Sequence, residues 1–409
     1  MAASEHKPYI VSWNLTGRCN LSCPHCYLDA GGRLPGELSG EEARLVIDEL
    51  SYLNSRLMLV LSGGEPMLRE DIFEIVESAS QAGFITVMGT NGTLLAGGDL
   101  RRLKDAGLRG VGISVDSAGP SYHDSFRGAP GAWGLSTGAL AAARDAGLET
   151  QMDVTLTDGN WQEVDGLVEL GAALGVKAVN FFFLVCTGRA EKTDISSENY
   201  GRALSRIARL FMDEKRLMAR ARCAPHIYRV LHEEGFSIPQ GARGCLAGRA
   251  YMRIDPEGNV TPCPYMGLSA GNVKERSLST IWEESPVFGL LREGSYGGRC
   301  GACEYSAVCG GCRARALAEK GDVMEEDSLC DYRPRGGGEV ETREEFEPGL
   351  RWEDGAVEKV RRVPPFMKRM VIRVIEAKAR ERGVEVITSA FVDEIKSRGY
   401  SDLHGKNGR

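Results

Sequence analysis

The placement of twelve cysteines constrains this chain more than any other feature. Three stand at Cys19, Cys23 and Cys26, six fall between Cys245 and Cys312, one is Cys330, and Cys186 and Cys223 stand apart. The opening MAASEHKPYIVSWN lacks the apolar core of a signal peptide, so a cytoplasmic protein is expected. In a reducing cytosol such cysteines are poor candidates for disulfides and good ones for metal-binding thiolates. No apolar run approaches the roughly 20 residues of a membrane span. A net charge of −7 over 409 residues argues against a general nucleic-acid binder.

From about residue 9 to 185, strand-like and helix-like stretches alternate. The pattern predicts strands at 9–16, 57–61, 84–89, 110–115, 150–157 and 178–185, short and rich in β-branched and aromatic residues. It predicts helices over 40–54, 71–82, 138–146 and 161–174, the first with a capping box of Ser39 and Glu42. This alternation implies an α/β fold with a parallel sheet covered by helices. Six units are too few for a closed eight-stranded barrel, so a partial (β/α)6 TIM-like barrel is expected over residues 1–190. Residues 191–244 read as a helical connection, and 245–335 as a Cys-, Gly- and Pro-rich region that metal must order. Residues 336–349 read as a linker and 350–409 as a small helical domain, with Met367, Met370, Val371, Val374 and Ile375 at helical spacing. The last segment is basic, with 14 Lys+Arg against 9 Asp+Glu over residues 351–409.

The segment Cys19-Asn-Leu-Ser-Cys23-Pro-His-Cys26 follows the first predicted strand. It therefore sits at the strand's C-terminal end, where β/α barrels gather their active sites. Three thiolates in so short a loop can wrap one face of a 4Fe–4S cube and leave one iron open. Structural zinc takes four ligands in paired arrangements. His25, between two of the cysteines, is badly placed as a fourth.

This segment resembles the radical S-adenosylmethionine (SAM) superfamily, and Ser62-Gly63-Gly64-Glu65-Pro66 resembles its GGEP motif. The resemblance implies that Cys19, Cys23 and Cys26 hold a 4Fe–4S cluster whose open iron chelates SAM. Electron transfer into the sulfonium then yields a 5′-deoxyadenosyl radical. It also implies that Gly63 and Gly64 let the backbone approach the cofactor, and that exposed groups of Gly63, Gly64, Glu65 and Pro66 meet the SAM amine. Asn91, Ser114 and Asp116 fall where the family contacts the SAM ribose and carboxylate, and Arg189 is expected at the carboxylate. Each of these four also suits a cap or turn. A reduced ferredoxin or flavodoxin is the implied electron donor.

The later cysteines run Cys245-x12-Gly258-x4-Cys263, then Cys300-x2-Cys303-x5-Cys309-x2-Cys312, then Cys330. This resembles the SPASM extension, which holds one or two auxiliary iron–sulfur clusters. The usual spacing has three residues before the last cysteine of the tight group; two stand here. Interleaved ligation would put Cys300, Cys303, Cys309 and Cys330 on a distal cluster and Cys245, Cys263 and Cys312 on a proximal one. The fourth proximal ligand is open between Cys223, a substrate atom and a vacant site. Cys186 is expected as a small core residue.

Three stretches carry a narrower resemblance: Ser12 to Ala30, Cys186-Thr-Gly-Arg-Ala190 and Cys300 to Ala316. They are similar to radical SAM enzymes of alternative haem and haem d1 synthesis: the didecarboxysiroheme deacetylase, the haem synthase that decarboxylates propionates, and the haem d1 synthesis enzyme. Residues 352–398 are similar to the small C-terminal domain of the protochlorophyllide reductase B subunit. These resemblances imply a siroheme-derived tetrapyrrole substrate from which acetate side chains are removed or whose acid side chains are otherwise altered. Arg127 is then expected to clamp a substrate carboxylate and His123 to ligate iron or move a proton. The alternative is a maturase acting on a ribosomal peptide; about ten residues precede the first strand, which leaves no fused leader-recognition domain there. No nucleic-acid or membrane partner is expected.

Overall fold

A computed structural model describes residues 6–190, 195–343, 349–361, 363 and 365–397. The chain divides into two compact units, Met1–Val230 with Gly244–Gly338, and Leu231–Arg243 with Glu339–Arg409.

In the first unit every expected strand forms: β1 (Ile10–Asn14), β2 (Met58–Ser62), β3 (Ile85–Thr90), β4 (Gly110–Ser114), β5 (Glu149–Leu156) and β6 (Ala178–Phe183). They pair in parallel and in chain order. The helices between them are α1 (Gly40–Leu53), α2 (Ile72–Gln81), α3 (Gly97–Asp105), α4 (Pro120–Arg127), α5 (Ala132–Asp145) and α6 (Val164–Leu174). The Ser39–Glu42 capping box closes at the start of α1. The face turned to the helices is apolar: Val11, Trp13, Leu59, Leu61, Ile113, Val154 and Phe181 are fully buried. That burial, at roughly 1.5–3 kcal/mol per large side chain, is what fixes the register of each strand.

The segment read as a helical connection differs. Helix α7 (Ser197–Asp213) is followed by a seventh parallel strand, β7 (Met218–Arg222), paired with β6. Its sequence, MARAR, lacks β-branched residues, so propensity hides it; Ala219 packs outward while Arg220 and Arg222 point the other way. At the other edge, the strand Tyr251–Ile254 of the cysteine-rich region pairs in parallel with β1 and continues into an antiparallel ribbon through Asn259–Thr261 and Gly271–Asn272. The region is thus built onto the barrel sheet, giving ten strands in all among the described residues.

The second unit contains helices Asp354–Arg361, Pro365–Glu381 and Ser389–Ser397 and a parallel pair, Arg351–Trp352 with Val386–Ile387. Its core gathers Ala356, Val360, Ile372, Ile375, Ala379, Ile387, Phe391, Val392 and Ile395, with Val371 and Val374 against it. The side chains of Met367 and Met370 lie outside the described residues. Thr342–Arg343 pairs with Ile238–Pro239, which brings the segment 231–243 into this unit. No described helix is long and apolar enough to cross a membrane.

Candidate active site: a three-cysteine loop and two further thiol groups

The loop after β1 carries Cys19, Cys23 and Cys26. Backbone N–H groups of Leu21 and Ala30 donate to the Cys19 and Cys26 sulfurs at 3.5 Å each. Such bonds favour the thiolate a metal needs. The loop is tied down from three sides. Glu37 accepts from the Gly17 and Leu34 N–H groups and from the Thr16 hydroxyl. Buried Arg69 donates to the Leu15 and Leu38 carbonyls. Arg189 donates through Nε to the Cys23 carbonyl (2.9 Å) and through Nη1 to the Ala30 carbonyl (2.7 Å) and to Asp29. Arg189, expected at the SAM carboxylate, therefore clamps the cysteine loop itself and acts as a positioning residue. Gly188 makes this approach feasible: at φ +63° a Cβ there would meet the Cys26 carbonyl at 2.4 Å.

The Gly63–Pro66 turn presses on the same loop. Its Gly64 and Glu65 N–H groups donate to the Thr16 and Arg18 carbonyls, both at 2.8 Å. A Cβ on Gly64 would fall 2.1 Å from the Arg18 carbonyl oxygen and 3.0 Å from the Cys19 Cβ. Glu65 is fully buried and accepts from the Thr90 hydroxyl (2.7 Å) and the Asn91 N–H (3.0 Å), joining the ends of β2 and β3. Burial pushes its carboxyl upward in pKa. Pro66 opens a short 3-10 turn. Asn91 bridges Asn20 in the cysteine loop and Thr93. Ser114 ends β4 on the barrel's inner face, opposite Asp153.

Asp116 and Arg127 require correction. Asp116, expected at SAM, is fully buried and accepts from Arg127 Nε (2.7 Å), Arg127 Nη2 (3.1 Å) and the Thr155 N–H (2.9 Å). Burial alone would raise its pKa, but the Arg127 charge outweighs this and holds the carboxyl well below the usual range. Arg127 is therefore not free to clamp a substrate; it stands between Asp116 and the Cys23 thiol. His123 is also buried, and its Nδ1 accepts the Asp116 N–H at 3.0 Å. Its Nε2 is buried without a hydrogen-bond partner. Within the loop, His25 stacks on Phe126 with centroids 3.8 Å apart, and burial drives its pKa down to about 3.

The later cysteines form two groups. Cys300, Cys303, Cys309 and Cys330 line one cavity, as the interleaved pattern implies. Cys245, Cys263 and Cys312 pack in a separate buried cluster, and Cys223 joins them. Each of these four thiols lies within electrostatic reach of others in the set. Cys223 is the described residue that completes four thiols there, and at φ +53° it adopts a backbone conformation uncommon outside glycine. Spacing alone does not single it out, since 21 residues separate it from Cys245. Between the groups lies a fully buried ion pair, Arg315 with Asp327 at 2.8 Å. Asp327 accepts the Cys312 N–H (2.7 Å) and Arg315 donates to the Cys223 carbonyl (3.1 Å). Arg313 reaches the Cys300 sulfur at 3.8 Å. Buried arginines beside thiolates offset the negative charge of iron–sulfur ligation. Cys186 is half-buried in the turn beyond β6.

No three His, Cys, Asp or Glu side chains among the described residues converge tightly enough for a single metal ion. Cys300, Cys303, Cys309 and Cys330 line a cavity, and all-sulfur donor sets suit iron–sulfur clusters. The family comparisons agree. Residues 13–171 match the radical SAM superfamily model and residues 245–312 match an iron–sulfur cluster-binding domain. The chain belongs to the radical SAM superfamily, binding SAM with a 4Fe–4S cluster and auxiliary clusters in its cysteine-rich region. It is 38% identical over 348 residues to the AdoMet-dependent heme synthase of Methanosarcina barkeri strain Fusaro, covering 82% of this chain and 99% of that protein. It is 31% identical over 364 residues to the pre-heme d1 synthase of Dinoroseobacter shibae, covering 81% and 87%. Among solved structures, Streptococcus suis SuiB bound to S-adenosylmethionine matches with a TM-score of 0.66 at 17% identity, covering 80% and 78%, a likeness of fold.

Proposed function

We propose that this radical SAM enzyme acts on the acid side chains of an iron tetrapyrrole in haem synthesis, of which propionate decarboxylation is the preferred form. The observation that carries the reading is the 38% identity to a heme synthase across 99% of that protein's length. Cys19, Cys23 and Cys26 would hold the 4Fe–4S cluster, which when bound would supply the electron that cleaves SAM to a 5′-deoxyadenosyl radical. The chain's own residues do the rest. Arg189, Glu37 and Arg69 fix the cysteine loop, Gly63, Gly64, Glu65 and Pro66 shape the SAM seat beside Asn91 and Ser114, and Arg127 offsets charge at Cys23. Cys223, Cys245, Cys263 and Cys312 form the proximal auxiliary ligand set, and Cys300, Cys303, Cys309 and Cys330 the distal one. Removing hydrogen from a propionate and releasing carbon dioxide leaves a vinyl group and one electron. A chain with two further thiol sets has places for carriers of that electron. Reduced ferredoxin or flavodoxin is the donor for SAM cleavage.

Anaerobic titration tests the reading. Iron coproporphyrin III should shift its Soret band on binding and saturate at stoichiometric protein. An unmoved Soret band across iron porphyrins bearing acid side chains would contradict it.

A further inference from the structure

The inner face of the barrel carries a run of polar groups beside apolar Val60, Val87 and Met218, unlike the packed apolar interior of a closed (β/α)8 barrel. Strand registers place Ser12, Asn14, Ser62, Ser114, Asp153, Thr155, Asn180, Phe182, Arg222 and Arg253 on that one face. Two of its guanidinium groups make no direct hydrogen bond to the cysteine loop or the SAM turn among the described residues. Arg222 ends β7, and its Nε donates to Asn180 Oδ1 at 3.2 Å. Arg253 stands on the strand Tyr251–Ile254, only 8% exposed, and its Nε donates to Asn14 Oδ1 at 2.6 Å. Each arginine is thus aimed by a neutral amide. No ion pair joins either one to a carboxylate among the described residues. Asp153, the acidic neighbour on this face, is held by Asn180 Nδ2 at 2.7 Å instead. Asp153 lies within electrostatic reach of Arg222 without pairing directly with it; a buried guanidinium lacking a directly paired carboxylate is costly, and its planar fork is shaped for an incoming one.

Their placement says what kind of ligand completes them. β7 and the strand Tyr251–Ile254 lie on opposite sides of the parallel series, flanking the place where the sheet does not close. Tyr251 is nevertheless within electrostatic reach of Arg222 and of Cys223 and Cys263. Arg253 is close to Tyr27, whose hydroxyl accepts from Asn14 Nδ2 at 2.9 Å and whose neighbour in sequence is Cys26. The lumen that carries the two guanidinium groups therefore runs from the cysteine loop to the proximal thiols, Tyr27 meeting Tyr265 of the proximal thiol cluster with centroids 5.1 Å apart.

We propose that Arg222 and Arg253 are specificity-determining residues that each receive one carboxylate of a flat, polycarboxylated substrate spanning the lumen between the cysteine loop and the proximal thiols. This rests on the tetrapyrrole reading above and adds which side chains read the acid groups. The two propositions separate in one experiment on the fully loaded enzyme under anaerobic conditions. Iron coproporphyrin III binding is followed at the Soret band for wild type, Arg222→Gln, Arg253→Gln and Arg253→Lys, alongside the fully esterified porphyrin. SAM affinity, substrate-free 5′-deoxyadenosine formation and the cluster electron paramagnetic resonance spectra are measured on the same samples. Each Gln variant should weaken binding of the acid porphyrin by about tenfold or more, the scale of a lost charged hydrogen bond. Arg253→Lys should fall between, the ester should bind all proteins alike, and the SAM and cluster readouts should not move. Equal affinity of wild type and Gln variants would overturn the proposal while leaving the tetrapyrrole reading intact. A loss of SAM affinity in Arg253→Gln would assign that guanidinium to the cofactor and overturn it as well. Failure of wild type to bind any iron porphyrin would overturn the substrate reading, and this proposal with it.

Discussion

Gly64→Ala is expected to abolish SAM cleavage while leaving the auxiliary clusters in place. The added Cβ would lie 2.1 Å from the Arg18 carbonyl oxygen and 2.6 Å from its carbon. Both are backbone atoms of the residue before Cys19, so neither can swing aside as a flexible side chain would. The loop bearing Cys19, Cys23 and Cys26 must move as a body, and the Gly64 N–H to Thr16 bond goes with it. Displacements near 1 Å at a reacting centre lower rates roughly 10²-fold. Here the displaced group is the ligand set for the cluster that starts the reaction, so a loss of at least that size is expected in 5′-deoxyadenosine formation with dithionite. Iron and sulfide content should fall by one cluster only, since the two later thiol groups do not touch this turn. SAM cleavage at the wild-type rate would show that the loop absorbs the added methyl.

The second large effect is on stability. Asp116→Ala should destabilise the barrel unit by about 3–5 kcal/mol, because removing one partner strands a buried charge. Arg127 loses the carboxylate that holds it at 2.7 and 3.1 Å, and the Thr155 N–H at the end of β5 loses its acceptor. Asp116→Asn should recover part of the loss, since an amide oxygen still accepts one bond. Comparing thermal unfolding midpoints of the loaded proteins under anaerobic conditions checks this. The pH dependence has a definite sign. The folded pKa of Asp116 is depressed, so its contribution is complete above the unfolded carboxylate value of about 4 and disappears as pH falls below it. The wild-type midpoint should therefore drop more steeply than that of Asp116→Asn on acidification below about pH 4. Parallel curves would count against this ion pair as the source.

The strands of the barrel and the cysteine loop are legible in the chain because their signals are local. Alternating runs such as Ile10–Asn14 and the three-cysteine spacing need no knowledge of distant partners. What the sequence hides is which partner a polar residue chooses. Arg189, Asp116 and Arg127 stand at places where a SAM or substrate contact is reasonable, yet each is engaged by the protein. Arg189 holds the carbonyls of Cys23 and Ala30, from which it is separated by more than 150 residues of chain. β7 escaped because MARAR has neither β-branched nor aromatic residues; its pairing with β6 supplies what propensity does not. Cys223 is a single cysteine far from the tight group, and only the fold brings it to Cys245, Cys263 and Cys312. The lumenal arginines fall on short strands at the two ends of the parallel series, where no motif marks them.

The most direct test is a single-turnover assay on the reduced, fully loaded enzyme with SAM and iron coproporphyrin III under anaerobic conditions. Porphyrin mass and 5′-deoxyadenosine are followed together. The predicted result is 5′-deoxyadenosine formed in step with a porphyrin lighter by carbon dioxide and two hydrogens, counted on the free acid, for each propionate converted to vinyl. SAM left intact, or SAM cleaved while every acid side chain of the porphyrin survives, would contradict the account.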